Sequence, residues 1–284
     1  MFIASLFGTT ILVSLNSGTV SCCCVVPDDT IFVFLNEDEQ KPKVPVWAIE
    51  VVLSEPELEA FDEKEIYAVL KWMPHQRREQ FHRYHFWKDQ RLCCLAYLLF
   101  LYGMLREKRG RFCDIYNVPF AFGEDGKPYL KKMESLHFNI SHCNAAVACG
   151  ISEYPIGVDV QEYETQADES VMQLVFSELE KKEIRESRFP EQRFTRYWTL
   201  KESYYKCIGT GLIDEMKEKN FAVGQGDLFQ TDRFCFYTKA MPSYQLSVCE
   251  EKKFLIAAEV IPVAAQEIKR MVKRFKNESL GSII

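Results

Sequence analysis

One strand pattern constrains this chain more than any other. In Ile156-Gly-Val-Asp-Val-Gln161, Ile156, Val158 and Val160 point one way and Gly157, Asp159 and Gln161 the other. About forty residues on, Trp198-Thr-Leu-Lys-Glu-Ser-Tyr-Tyr-Lys206 lies in a helical stretch expected from Glu191 to Ile208 and stopped by Gly209-Thr-Gly211. Trp198, Glu202 and Lys206 fall at i, i+4 and i+8 and stack along one side of that helix. A strand carboxylate and a helix carboxylate, with lysines beside the second, is the equipment for holding Mg²⁺ against a diphosphate. In this order the two stretches point to phosphoryl-type transfer.

The surrounding pattern mixes helices with mainly antiparallel strands, an α+β chain. Val46 to Leu53 reads as a strand. Glu55 to Trp72 reads as helical, with Leu58, Phe61, Ile66, Val69 and Leu70 at helical spacing, and Pro74 breaks it. One long helix is expected from Gln76 to Arg106, buried along Leu95, Leu98, Leu99 and Tyr102. Leu136 to Ile140 and Ala145 to Ile151 read as strands, with Ser141-His142 at the corner between them. Ser177-Glu-Leu-Glu180 is a capping box that places a helix start at Ser177. Phe234 to Lys239, Tyr244 to Cys249 and Phe254 to Val260 read as strands, and Glu267 to Lys276 as a basic helix. The polar, Pro-containing run 37–43 reads as a linker. The expected organisation is an extension of poor order over 1–43, a first half over 44–152, and a second half over 153–284 that carries the metal site.

Composition narrows the setting. The chain is 47% apolar and 27% charged with a net charge of −6, which argues against a nucleic-acid partner. Its eleven cysteines are odd in number, several lie in apolar runs, and none forms a C-x-x-C pair. That usage fits a reducing, cytoplasmic protein better than a disulfide framework or a structural zinc site. Residues 2–15 are mostly apolar and precede Cys22-Cys-Cys24, but the basic segment of a signal peptide is missing. Gly8, Thr9, Thr10 and Asn16 interrupt the stretch, so no membrane span is expected there.

Each candidate residue has a plainer use. Asp159, mid-strand, needs a cation, a metal or a helix N-terminus, and a structural ion pair answers the same need. Gln161 shares its face and offers an amide oxygen without charge. Glu202 can ligate a metal or act as a base, or form a solvated pair with Lys206. Lys201 and Lys206 can meet phosphate oxygens. Ser141-His142 can be a turn beside a half-buried imidazole, and Lys127, in Gly126-Lys-Pro128, a solvated cation. No Ser/His/Asp or Cys/His/Asp order stands out.

These pieces together resemble the Sfp-type 4′-phosphopantetheinyl transferases. The matching elements run in that family's order: Gly126-Lys-Pro128, Phe138-Asn-Ile-Ser-His142, Gly157-Val-Asp-Val-Gln161, Phe176-Ser-Glu-Leu-Glu180, Trp198-x-x-Lys-Glu-Ser-x-x-Lys206 and Gly209-x-Gly-Leu212. The resemblance covers Val44 to the C-terminus. It implies two pseudo-symmetric α/β halves with coenzyme A in the cleft between them. It also implies transfer of the 4′-phosphopantetheine arm to a serine of an acyl or peptidyl carrier protein, by a monomer. Carried over by motif, Asp159 and Glu202 are ligands of Mg²⁺, or of Mn²⁺, and Glu202 is also the base. Lys206 and Lys127 meet coenzyme A phosphates, and Ser141 and His142 hold those on the adenosine side. Gln161 stands where many bacterial members carry glutamate. Arg91, two residues after Asp89 instead of three, matches the family's phosphate-binding arginine, and Arg77 or Arg78 its other basic position. The altered positions also leave room for a non-catalytic coenzyme A-binding relative.

Overall fold

The computed structural model describes residues 2–6, 9–16, 19–26, 29–36, 48–54, 57–71, 73–106, 120–123, 126–131, 133, 135–163, 169–210, 216–222, 226–252 and 259–281. The chain divides into two units, Met1–Val46 and Trp47–Ile284. In the first, β1 (Phe2–Leu6), β2 (Thr9–Asn16), β3 (Thr19–Val26) and β4 (Asp29–Asn36) form an antiparallel sheet in chain order. This stretch falls within the one read from the sequence as an extension.

The second unit begins with β5 (Ala48–Ser54), α1 (Glu63–Leu70), α2 (His75–Arg83) and α3 (Trp87–Arg106). Then come β6 (Phe120–Phe122), β7 (Pro128–Leu130), β8 (His137–His142), β9 (Ala146–Ser152) and β10 (Ile156–Glu162). Three helices follow, α4 (Glu169–Val175), α5 (Glu178–Glu186) and α6 (Pro190–Ile208). The unit ends with β11 (Leu228–Thr231), β12 (Phe234–Ala240), β13 (Tyr244–Glu251), β14 (Glu259–Pro262) and α7 (Ala265–Gly281).

Two four-stranded sheets result, in the orders β14-β5-β9-β8 and β10-β13-β12-β11. The first is antiparallel except for β14, which runs parallel to β5 with Ile261 opposite Val51. The last strand therefore completes the sheet that the unit's first strand begins. Helix α3 packs on the first sheet. It is buried continuously from Arg91 to Leu101, as expected of a helix apolar on every side. Phe100, Phe120 and Phe138 close that core, Phe100 and Phe138 with ring centroids 4.6 Å apart. Helix α6 packs on the second sheet, where Phe176, Phe194, Tyr197, Leu200, Phe221 and Phe236 form the core. The other face of β10, with Ile156, Val158 and Val160, packs on Ala146, Ala148, Leu246 and Val248.

β8 and β10 are edge strands, one in each sheet. Side chains of β8 join them: Asn139 Oδ1 accepts from Val158 N at 2.8 Å, and Ser141 Oγ from Val160 N at 3.3 Å.

Local chemistry fixes several boundaries. Ser177 caps α5 in the expected box with Glu180. Gly209, at φ 84°, ends α6 in the left-handed region, with its N–H on Tyr205 O at 2.8 Å. Two helices expected whole are divided. Glu55 to Trp72 is a 3₁₀ turn at Glu57–Ala60 and then α1, because Asp62 and Glu65 form a second capping box. Gln76 to Arg106 breaks between α2 and α3, where Tyr84 is extended and its carbonyl accepts from Gln90 Nε2 at 2.9 Å. Glu124 and Asp125 of the turn cluster, Gly211 and Leu212, the linker 37–43 and most of the strand read at 254–260 lie outside the described residues. No helix among the described residues is long and apolar enough to cross a membrane.

Candidate active site

The site begins with Gly157. A Cβ there would lie 2.0 Å from Ser203 O and 2.4 Å from Cys207 N, both backbone atoms of α6. Only glycine lets the helix approach β10 this closely. Asp159, on the same strand face, thereby comes to lie against Lys206.

Asp159 is 5% exposed. Its Oδ1 accepts from Lys206 Nζ at 2.5 Å and from Ser141 Oγ at 2.9 Å. Lys206 Nζ also donates to Ser141 Oγ at 3.2 Å. Asp159 Oδ2 is buried and has no hydrogen-bond partner among the described residues. Burial raises the Asp159 pKa above the ordinary carboxylate value, against the lowering by Lys206 and Ser141. Glu202 lies one helical turn from Lys206. Burial raises its pKa as well, opposed by Lys206 and reinforced by the negative charge of Asp159. Two carboxylates whose ionisation burial opposes, with one buried oxygen unsatisfied, make a donor set suited to a hard divalent cation. Among the described residues no three His, Cys, Asp or Glu side chains converge as a metal-binding group. Gln161 shares the strand face of Asp159 and is half-buried.

His142 ends β8 beside this pair. Burial lowers its pKa, and the Arg77 and Lys206 charges lower it further against Asp89. Arg77 donates to Gln80 Oε1 at 2.7 Å, and its Nε is buried with no hydrogen-bond partner among the described residues. One site thus gathers two carboxylates, two cations and an imidazole from β8, β10, α2 and α6.

Residues 155–258, which hold the strand, the helix and the acidic pair, match the family model described as the 4′-phosphopantetheinyl transferase superfamily. Over this stretch, somewhat more than a third of its length, the chain is similar to that superfamily. It is 31% identical over 102 residues to a 4′-phosphopantetheinyl transferase of Bacillus subtilis, covering 35% of this chain and 45% of that protein. It is 27% identical over 183 residues to the 4′-phosphopantetheinyl transferase Sfp of Bacillus subtilis (strain 168), covering 61% and 80%. It is 25% identical over 228 residues to the 4′-phosphopantetheinyl transferase psf-1 of Bacillus pumilus, covering 75% and 92%. The match thus spans less than half of the first of these relatives.

The structure sorts the phosphate contacts expected from the sequence. His142, Arg77 and Lys206 come together with the carboxylates. Lys201 does not: it is 0% exposed, pairs with Glu180 at 3.0 Å, and donates to Met216 O and Lys219 O. It holds segment 216–222 to the core, with the Phe176 and Phe221 rings beside it. Its place one residue before Glu202 turns it about 100° around α6, into the core. Arg91 is also engaged, in a two-pronged bond to Glu59 at 2.5 and 3.0 Å, and is 7% exposed. Lys127 donates to Cys207 O at 2.6 Å and Ile156 O at 3.1 Å, so it caps the carbonyl end of α6. Burial lowers its pKa. It also lines a cavity of about 310 Å³ with Gly123, Tyr129, His137, Phe138 and Gly209. Three contributors had no separate role in the sequence reading: Gly157, Asn139 and the Ser141–Asp159 bond. The alternation of polar Asn139 and Ser141 along β8 was the available sign of a strand edge met by side chains.

Proposed function

We propose that this chain transfers the 4′-phosphopantetheine arm of coenzyme A to a serine of an acyl or peptidyl carrier protein, releasing adenosine 3′,5′-bisphosphate. The observation that carries the reading is the junction at Gly157, where Asp159, Glu202 and Lys206 meet Ser141 and His142.

Asp159 and Glu202, with the Gln161 amide, would hold Mg²⁺ or Mn²⁺. The buried, unsatisfied Asp159 Oδ2 supports that fit. When bound, the ion neutralises charge on the diphosphate. The carrier serine hydroxyl is a weak nucleophile and needs a base. Glu202 takes its proton as the serine oxygen forms a bond to the pantetheine-side phosphorus. The bridging P–O bond breaks, and its electron pair leaves on the adenosine bisphosphate. Lys206 meets the charge that develops there, while His142 and Arg77 face the adenosine-side phosphates. The protein works as a cytoplasmic monomer that needs no nucleic acid.

The test is the intact mass of an apo carrier protein after incubation with the chain, coenzyme A and Mg²⁺. A gain of one phosphopantetheine that disappears with EDTA and with Glu202→Gln is expected. No gain across fatty-acid, polyketide and peptide carriers, with coenzyme A still bound, would replace this reading with a non-catalytic coenzyme A-binding protein.

A further inference from the structure

We propose that Ser141 is a positioning residue for Asp159 and not a phosphate contact. The inference rests on the transfer reading, because it concerns how the cation's ligand is presented.

A serine hydroxyl has one proton and two lone pairs. All are used at Ser141. The proton goes to Asp159 Oδ1 at 2.9 Å, and the lone pairs accept from Val160 N at 3.3 Å and Lys206 Nζ at 3.2 Å. The side chain is 6% exposed. A phosphate oxygen is an acceptor and would need the proton that Asp159 already holds. Turning the hydroxyl toward a phosphate would also remove a neutral donor from a carboxylate whose burial already opposes ionisation.

The three contacts come from three elements. Ser141 stands on β8, Asp159 and Val160 on β10, and Lys206 on α6. Ser141 and Lys206 both bind Oδ1, which fixes the plane of the carboxylate. Oδ2 is the oxygen left buried without a partner. The arrangement holds one oxygen and presents the other to a cation. Groups that orient a metal ligand in this way commonly contribute 10- to 100-fold in metal affinity.

Two calorimetric titrations separate positioning from phosphate contact, and neither needs turnover. In one, Mg²⁺ is added to protein saturated with coenzyme A. In the other, adenosine 3′,5′-bisphosphate is added in EDTA. Ser141→Ala is expected to weaken Mg²⁺ about 10-fold and to leave the nucleotide within about 2-fold. Ser141→Thr, which keeps the hydroxyl, is expected to restore Mg²⁺ binding. Ser141→Cys, of similar size but a weak donor, should fall between, and it decides the matter if the alanine variant does not fold. Weaker nucleotide binding with unchanged Mg²⁺ would make Ser141 a phosphate contact and overturn the proposal. Equal Mg²⁺ affinity in wild type and Ser141→Cys would overturn it alone. A wild-type protein that takes up no Mg²⁺ with coenzyme A bound would overturn both this inference and the transfer reading.

Discussion

Asp159 is held at a cost. Its pKa is raised by burial even with Lys206 at 2.5 Å, so the metal-free folded state keeps the proton longer than the unfolded chain does. Between the ordinary carboxylate pKa and the raised one, the folded state binds more protons, and stability falls as pH rises through that window. Asp159→Asn removes the ionisation. In EDTA at neutral pH it should melt no lower than wild type, while turnover with Mg²⁺ falls at least about 100-fold. A variant that melts several degrees lower in EDTA would show that the charge is structural. Part of this was legible in the sequence: strand alternation put Asp159 and Gln161 on one face, and helical spacing put Glu202 and Lys206 on one side. Depth was not legible. Lys201 and Lys206 are equally plausible phosphate ligands by motif. Yet one lies within the aromatic core against Glu180, and the other reaches Asp159. Spacing gives the angle around a helix axis but not how far the protein extends on that side.

The approach of α6 to β10 makes the element-scale predictions severe. Gly157→Ala sets a methyl against two backbone atoms that cannot move without the whole helix. It should cost about 3 kcal/mol of stability and most of the activity, measured by denaturant melts and carrier labelling. An active Gly157→Ala of wild-type stability would mean that the helix can shift without disturbing the acidic pair. The Glu180–Lys201 pair ties α5 and α6 to segment 216–222, since Glu180 also accepts from Phe221 N at 2.8 Å. Lys201→Met leaves a buried carboxylate unpaired and should cost about 3–5 kcal/mol. Adding Glu180→Gln should recover much of that loss, and no recovery would refute the pairing as the cause. Caps were readable because their chemistry is local, as at Ser177 and Gly209. The break before Trp87 was not, because it depends on Gln90 folding back onto the Tyr84 carbonyl. The periodicity of the sequence runs through that break without change.

At the scale of the molecule, the site draws Arg77, Ser141 and His142 from one sheet region and Asp159, Glu202 and Lys206 from the other. The mixed helix-and-strand class was readable from patterns. The partnership of β14 with β5 was not, since nothing in either short strand names a partner some two hundred residues away. It gives β14 and α7 a role in the first sheet: Ala265 N donates to Glu57 Oε2 at 2.5 Å, and Lys269 pairs with Glu65 at 2.8 Å. A chain ended at residue 258 should keep the acidic pair in its sequence but lose coenzyme A binding. Retained binding would make the last strand dispensable. The same strand sets a clock for biosynthesis. Every strand of the second sheet has been synthesised by Glu251, while the first sheet still waits for Glu259–Pro262. The half that is made first is therefore finished last. A released fragment that ends soon after Glu251 should resist protease over the second sheet and remain cleavable around β5. Until Glu259–Pro262 is in place, the acidic pair stands on a finished second sheet beside a first sheet that lacks its parallel edge strand.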